Sequence, residues 1–98
     1  MKLLFCGHCN DIVRLFSERL FCKCGRSWGH YLPDNSTTVQ TEHTLSIGLA
    51  NPDFNSAIDV FMQNRNCFSP ELVFRAWLNP DSEPDVKYVV ETVEKLDG

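Results

Sequence analysis

The sequence predicts a small α+β protein, rich in β structure, with short antiparallel strands at the N-terminus and a strand–helix–strand–strand region after them. Three observations predict it. Four cysteines fall in two close pairs, Cys6-Gly7-His8-Cys9 and Cys22-Lys23-Cys24-Gly25. Most β-branched and aromatic residues come in short runs separated by turn residues, the pattern of strands. One stretch, opening near Asn51-Pro52, carries its apolar residues at helical spacing instead.

Taken in order, residues 2–5 read as a strand entering the first cysteine pair. Residues 11–17 alternate, with Ile12, Arg14 and Phe16 on one face and Val13 and Leu15 on the other. Residues 19–21 return to the second pair, and residues 27–32 leave it with Trp28 and Tyr31. Pro33-Asp34-Asn35-Ser36 is a turn. Residues 37–43 and 44–49 are strands expected to pair with each other. Asp53 or Asn55 can cap a helix running to about residue 66, whose stripe of Ala57, Ile58, Phe61 and Met62 is expected to face the core. Ser69-Pro70-Glu71 has the form of a helix start. Residues 72–78 and 86–93 nevertheless favour a strand–turn–strand around Asn79-Pro80-Asp81-Ser82, with a helix over 84–96 as the competing assignment. The length allows one compact unit, divided into residues 1–32 and a small α+β subdomain over 33–98 packed against them.

Two cysteine pairs twelve residues apart are what a tetrahedral four-sulfur site needs: two turns, each offering two thiolates, on opposite ends of a hairpin. Zinc suits that donor set, so Zn2+ is the expected cofactor and Cys6, Cys9, Cys22 and Cys24 the expected metal ligands. Asn10 and Gly25 follow the two pairs and are the residue types that enter positive φ most cheaply, as a metal knuckle requires. The second pair is C-x-C rather than C-x2-C, a tighter turn. His8, His30 and His43 are the possible substitute ligands, and disulfides the alternative use of the cysteines in an oxidising compartment. Cys67 lacks a nearby partner and is expected to be a buried free thiol. Residues 1–6 superficially resemble a lipoprotein cleavage site, but three apolar residues cannot make an export segment. The expected location is therefore the cytoplasm, where paired cysteines more often bind metal, and no run approaches membrane-spanning length.

Residues 1–32 resemble a zinc ribbon. The stretch Cys22-Lys23-Cys24-Gly25-Arg26-Ser27, followed by Gly29 and Tyr31, is similar to small bacterial and bacteriophage zinc-ribbon proteins of unassigned function. The resemblance implies the same four cysteine ligands and no catalytic residue, and it leaves DNA, RNA and protein all open as partners.

Composition narrows those partners. The chain carries a net charge of −4, divided as +3 over residues 1–30 and −7 over residues 31–98, which disfavours generic nucleic-acid binding by the whole molecule. No phosphate loop, H-E-x-x-H or nucleophile elbow occurs, and four thiolates would close a metal's coordination sphere, so no enzymatic activity is expected. The leading expectation is a non-catalytic adaptor or inhibitor that binds another protein. Its acidic group, Asp81, Glu83, Asp85, Glu91, Glu94 and Asp97, would meet a basic surface, and for a phage protein the target would be a host nucleic-acid-handling or defence machine. The alternative is a nucleic-acid-binding ribbon over residues 14–31, with Arg14, Arg19, Lys23 and Arg26 on phosphates and Trp28 or Tyr31 stacked on a base.

Overall fold

The computed structural model describes residues 1–90. The end of the valine-rich run and the acidic residues Glu91, Glu94 and Asp97 lie outside the described residues. Eight short strands run in chain order as β1 (Lys2–Cys6), β2 (Ile12–Arg14), β3 (Leu20–Phe21), β4 (Trp28–Tyr31), β5 (Thr38–Thr41), β6 (Thr44–Leu49), β7 (Ala76–Asn79) and β8 (Val86–Val89). One α-helix, α1 (Asn51–Gln63), and a single 3-10 turn over Pro70–Leu72 separate β6 from β7. The described residues are thus strand-rich with one α-helix, a small α+β arrangement.

The strands form two sheets, ordered β2-β1-β6-β7 and β3-β4-β5-β8. Every pairing is antiparallel except β5 with β8. The first half of the chain therefore supplies two hairpins to two sheets: β1–β2 to one, β3–β4 to the other. Strand β1 pairs along its whole length with β6, from Lys2 opposite Gly48 to Cys6 opposite Thr44.

Two expected pairings are not made. Strands β5 and β6 adjoin in sequence but do not pair; β5 lies between β4 and β8, and β6 between β1 and β7. The cause is local. His43 sits at φ 66, and the chain turns out of one sheet into the other there instead of closing a hairpin. Likewise β7 and β8 are strands, as their composition predicts, yet each joins a different sheet. Glu83 and Val86 continue the turn after Pro80 through Glu83 N–H to Pro80 C=O and Val86 N–H to Glu83 C=O, carrying the chain across.

Between the sheets the packing is tight and partly polar. Leu4 and Cys6 of β1 share a face with Ser46 and Thr44 of β6, and all four are buried. Opposite them lie the buried Thr38 and Gln40 of β5. A Cβ on Gly29 would come 3.1 Å from both Leu4 Cδ1 of the facing sheet and Val39 O of the neighbouring strand, a tight fit that a side chain could enter only by displacing them slightly. The fully apolar core is small: Leu4, Cys6, Leu15 and Cys22, with Cys9, Val13 and Tyr31 packed against them. Leu15 and Val13 point in while Ile12 and Phe16 point out, following the alternation of residues 12–16. Lys2 clamps the two sheets. Its Nζ donates to the carbonyls of Ser36 (2.7 Å) and Asp85 (2.8 Å) and lies 3.1 Å from the Asp85 carboxylate.

The helix departs from expectation twice. It starts earlier, at Asn51, with Pro52 in the first turn where proline is tolerated, and neither Asp53 nor Asn55 caps it. Asp53 instead accepts from Arg75 Nε at 2.6 Å. Its stripe does not enter the core: Ala57 is buried, but Ile58 and Met62 are 42% and 62% exposed. The helix packs mainly on the segment before β7, through an edge-on contact of Phe54 with Phe74 at 4.8 Å, and its first residue, Asn51, accepts from the Met1 amine at 3.0 Å. No helix among the described residues is long and apolar enough to cross a membrane.

Candidate metal centre

The two cysteine pairs sit at the tips of the two hairpins, β1–β2 and β3–β4, rather than at opposite ends of one. Each tip is a tight turn closed by backbone bonds, Asn10 N–H to Cys6 C=O (2.8 Å) in the first and Gly25 N–H to Cys22 C=O (3.0 Å) in the second. Asn10 and Gly25 take φ 63 and φ 80, the left-handed conformations the sequence predicts for them. The first tip has a further requirement: Gly7 N–H donates to His43 C=O at 2.8 Å, and a Cβ on Gly7 would lie 2.6 Å from that oxygen. The turn between β5 and β6 thus holds the first knuckle by its backbone.

These tips bring Cys6, Cys9, Cys22 and Cys24 together, with all four Sγ atoms within 4.8 Å of one another. Cys24 Sγ lies 3.9 Å from Cys6 Sγ and 3.4 Å from Cys22 Sγ. Four sulfurs about 2.3 Å from a tetrahedral zinc would stand ~3.8 Å apart, so the cluster is positioned to hold an ion of that size. Cys6 and Cys22 are buried, Cys9 is half-buried and Cys24 is exposed.

Donors aimed at the sulfurs complete the site. His8 N–H points at Cys6 Sγ at 3.3 Å, and the hydroxyl of the fully buried Ser27 lies 3.1 Å from the same sulfur. Asp11 joins the knuckles by accepting from Lys23 N–H at 2.7 Å. Burial opposes ionising Cys22, but the Ser27 N–H and the thiols of Cys24 and Cys6 outweigh it and bring it down to about 6. At Cys24 the Arg26 N–H favours the thiolate; desolvation and the sulfurs of Cys22, Cys9 and Cys6 prevail and push it up to about 12. One thiol ionises readily while its neighbour resists, because negative charges this close repel. A divalent cation removes that conflict, which is the electrostatic reason this donor set fits a metal.

The remaining candidates fall outside the cluster. His8 and His43 face each other with ring centroids 5.2 Å apart, and His30 stacks on Trp28 at 6.1 Å. Cys67, expected to be buried, is exposed in the segment after α1, where no sheet covers it. Arg14, Arg19, Lys23 and Arg26 are all exposed. Trp28 is buried, with the Arg19 guanidinium 3.7 Å from its ring centroid, and Tyr31 accepts from Lys2 N–H at 2.9 Å. Ser27 and Asp11 are the contributors that sequence reasoning misses. A serine two residues past a knuckle glycine carries no signal that separates a sulfur-directed hydroxyl from ordinary turn chemistry.

Comparison of the chain with protein-family models, with curated proteins and with solved structures found no match to any of them.

Proposed function

We propose that this chain is a zinc-braced, non-catalytic protein that acts by binding another protein, as an adaptor or inhibitor. The observation that carries the reading is a closed four-sulfur donor set in a fold that leaves its apolar helix face in solvent. Catalytic zinc keeps a position for water or substrate, whereas four thiolates fill the coordination sphere and serve structure. Two knuckles on two hairpin tips are the arrangement a zinc ribbon uses, which supports zinc as the ion. Bound there, it would supply the cross-link between the hairpins and with it much of the stability of a small, half-polar core.

Protein is favoured over nucleic acid by what the side chains already do. The ring of Trp28, which a base would need, is occupied by Arg19. Phe54, Ala57, Ile58, Phe61, Leu72 and Phe74 instead line an apolar groove of about 200 Å³. An exposed apolar groove on a small soluble fold is how a docking surface is built. Asp81 and Glu83, exposed or half-exposed after β7, would add contacts to a basic target surface; Asp85 is engaged by Lys2. The bacteriophage side of the ribbon resemblance makes a host nucleic-acid-handling or defence machine the target class.

The test is capture with tagged, metal-loaded protein from host lysate, split with and without nuclease. A protein partner that survives nuclease and is lost with Ile58→Asp supports the reading. Recovery only of nuclease-sensitive material overturns it in favour of the ribbon's arginines. Metal content of the purified chain by mass spectrometry should give one zinc per chain; iron or no metal would remove the zinc half of the proposal.

A further inference from the structure

Among the described residues four strands stand at the edges of the two sheets, and three of them are guarded. Strand β2 is three residues long and ends in Arg14, β3 has two residues, and β8 carries Lys87. Shortness and charge are the usual protections against edge-to-edge pairing. Strand β7, Ala76-Trp77-Leu78-Asn79, has neither charge nor proline, and Trp77 and Leu78 are 47% and 62% exposed on its two faces. The Trp77 ring lies over Gly48, where a Cβ would come within 2.6 Å, so it stays flat on the sheet and leaves the edge open.

The register fixes which backbone groups of β7 have no partner among the described residues. Ala50 N–H donates to Arg75 C=O at 3.0 Å, and pairing continues through Gly48 with Trp77 and Ser46 with Asn79. In an antiparallel ladder these alternate residues exchange both bonds with β6, so Ala76 and Leu78 aim N–H and C=O away from the sheet. Pro80, the next outward position, has no N–H to offer. The free edge is therefore two residues placed symmetrically about Trp77.

We propose that β7 is a self-pairing edge. Two copies of the chain join their β7 strands antiparallel about a dyad at Trp77, extending the first sheet from four strands to eight. Ala76 of each copy then exchanges two backbone bonds with Leu78 of the other, using every free group on the edge. Trp77 faces Trp77 in the close, non-hydrogen-bonded position. Arg75, already paired with Asp53, falls opposite Asn79, so no like charges meet. The symmetry is what selects a second copy over an unrelated peptide: donors and acceptors match themselves under the dyad. A four-residue pairing buries less than the ~1,200 Å² typical of a stable interface, so the dimer is weak and forms only in concentrated protein. This assembly does not rest on the partner reading above.

The experiment is sedimentation of the metal-loaded full chain over a dilution series that reaches the highest concentration at which it stays in solution. Wild type should move from monomer toward dimer. Leu78→Lys puts a charge on the edge, and Ala76→Pro removes one outward N–H while sparing the ladder to β6; both should remain monomeric over the same range. A trap reads the register itself. In a Cys67→Ser background, Trp77→Cys places thiols across the dyad at ~4.5 Å between Cα atoms, inside disulfide range, and oxidised glutathione should link the copies. Asn79→Cys, facing Arg75 instead, should link far less. A wild type that stays monomeric and untrapped at position 77 overturns the proposal. So does a dimer that persists in Leu78→Lys and cross-links equally at both positions.

Discussion

Around the four sulfurs nearly every turn is tied by a directional bond, whereas α1 is tied to the rest by few and only near its start. At the knuckle end Gly7 holds His43, Asp11 holds Lys23, and both His8 and Ser27 hold Cys6. At the helix end Ala57 is the one buried residue of α1, no side chain caps the helix, and its ties among the described residues include the Phe54–Phe74 contact, the Asp53–Arg75 ion pair and the Met1 amine on Asn51. The first end is ordered by polar geometry that converges on the four sulfurs. The second keeps its apolar side chains in water. One end spends its residues on holding a shape, and the other leaves them available for contact.

Removing the metal should break this comparison most severely. Structural zinc contributes about 10–16 kcal/mol in small zinc-finger peptides, which matches or exceeds the ~5–15 kcal/mol stability of a whole domain. Treatment with a strong chelator under reducing conditions, or Cys22→Ser, should abolish the cooperative thermal transition and the β-sheet circular dichroism. A chain that melts unchanged after chelation would mean that the sulfurs are not what holds the hairpins together.

The two ends should then respond differently to equal insults. Leu4 is fully buried between the sheets, and Leu4→Ala should cost about 2–5 kcal/mol in urea unfolding. Ile58→Asp, on the exposed helix face, should change stability by no more than about 0.5 kcal/mol. A large loss at Ile58 would show that the helix face is core after all, and the contrast between the two ends would disappear.

That contrast also explains how much of the molecule was legible in its sequence. Local chemistry carried far: the clustering of the four cysteines, the positive φ at Asn10 and Gly25, and the placing of Val13 and Leu15 on one face all follow from residue type and spacing. Pairing between strands did not. Nothing in 37–49 announces that His43 diverts the chain between sheets, because a left-handed histidine is set by its surroundings, here the bond from Gly7. The stripe on α1 was legible as amphipathic but not as exposed, since periodicity tells which residues share a face and not what lies against it. Cys67 was misplaced for the same reason: the tendency of cysteine to be buried needs a neighbouring sheet, and the segment after α1 has none. Strands β7 and β8 were recognisable by composition, while their separation into two sheets depends on Lys2 and the turn at Pro80.

A smaller effect should sharpen the account of the knuckle end. The Ser27 hydroxyl reaches Cys6 Sγ from a fully buried position, and donors of this kind orient and tune metal ligands. Ser27→Ala should weaken metal binding about tenfold, the lower end of such effects, while leaving one metal per chain and the fold intact. Competition with a chromophoric chelator reads this directly. Ser27→Thr keeps the hydroxyl and should recover affinity if the pocket admits the methyl group. An Ala variant with wild-type affinity would reduce Ser27 to a packing residue.

The smallest effect lies in the turn far from the metal. Asp34 accepts from the N–H groups of Thr37 and Ser36 and from the Thr37 hydroxyl, and these hold its carboxyl at about 2 against an ordinary 3.8. A carboxyl depressed in the folded state stabilises it above the unfolded value and loses that contribution as pH falls from 3.8 toward 2. Its stabilisation is therefore fully present and flat at pH 5–7. Acid acts on the thiolate ligands before it reaches that window, since they must stay deprotonated to hold a metal. Asp34→Asn should accordingly lower the urea midpoint by a small, equal amount at pH 7 and pH 5, and leave the acid-unfolding midpoint where the metal centre sets it. An offset that shrinks between pH 7 and pH 5 would assign the turn's contribution to a different titrating group. An Asn variant that unfolds at a distinctly different acid pH would show that Asp34, and not the sulfurs, governs stability in acid.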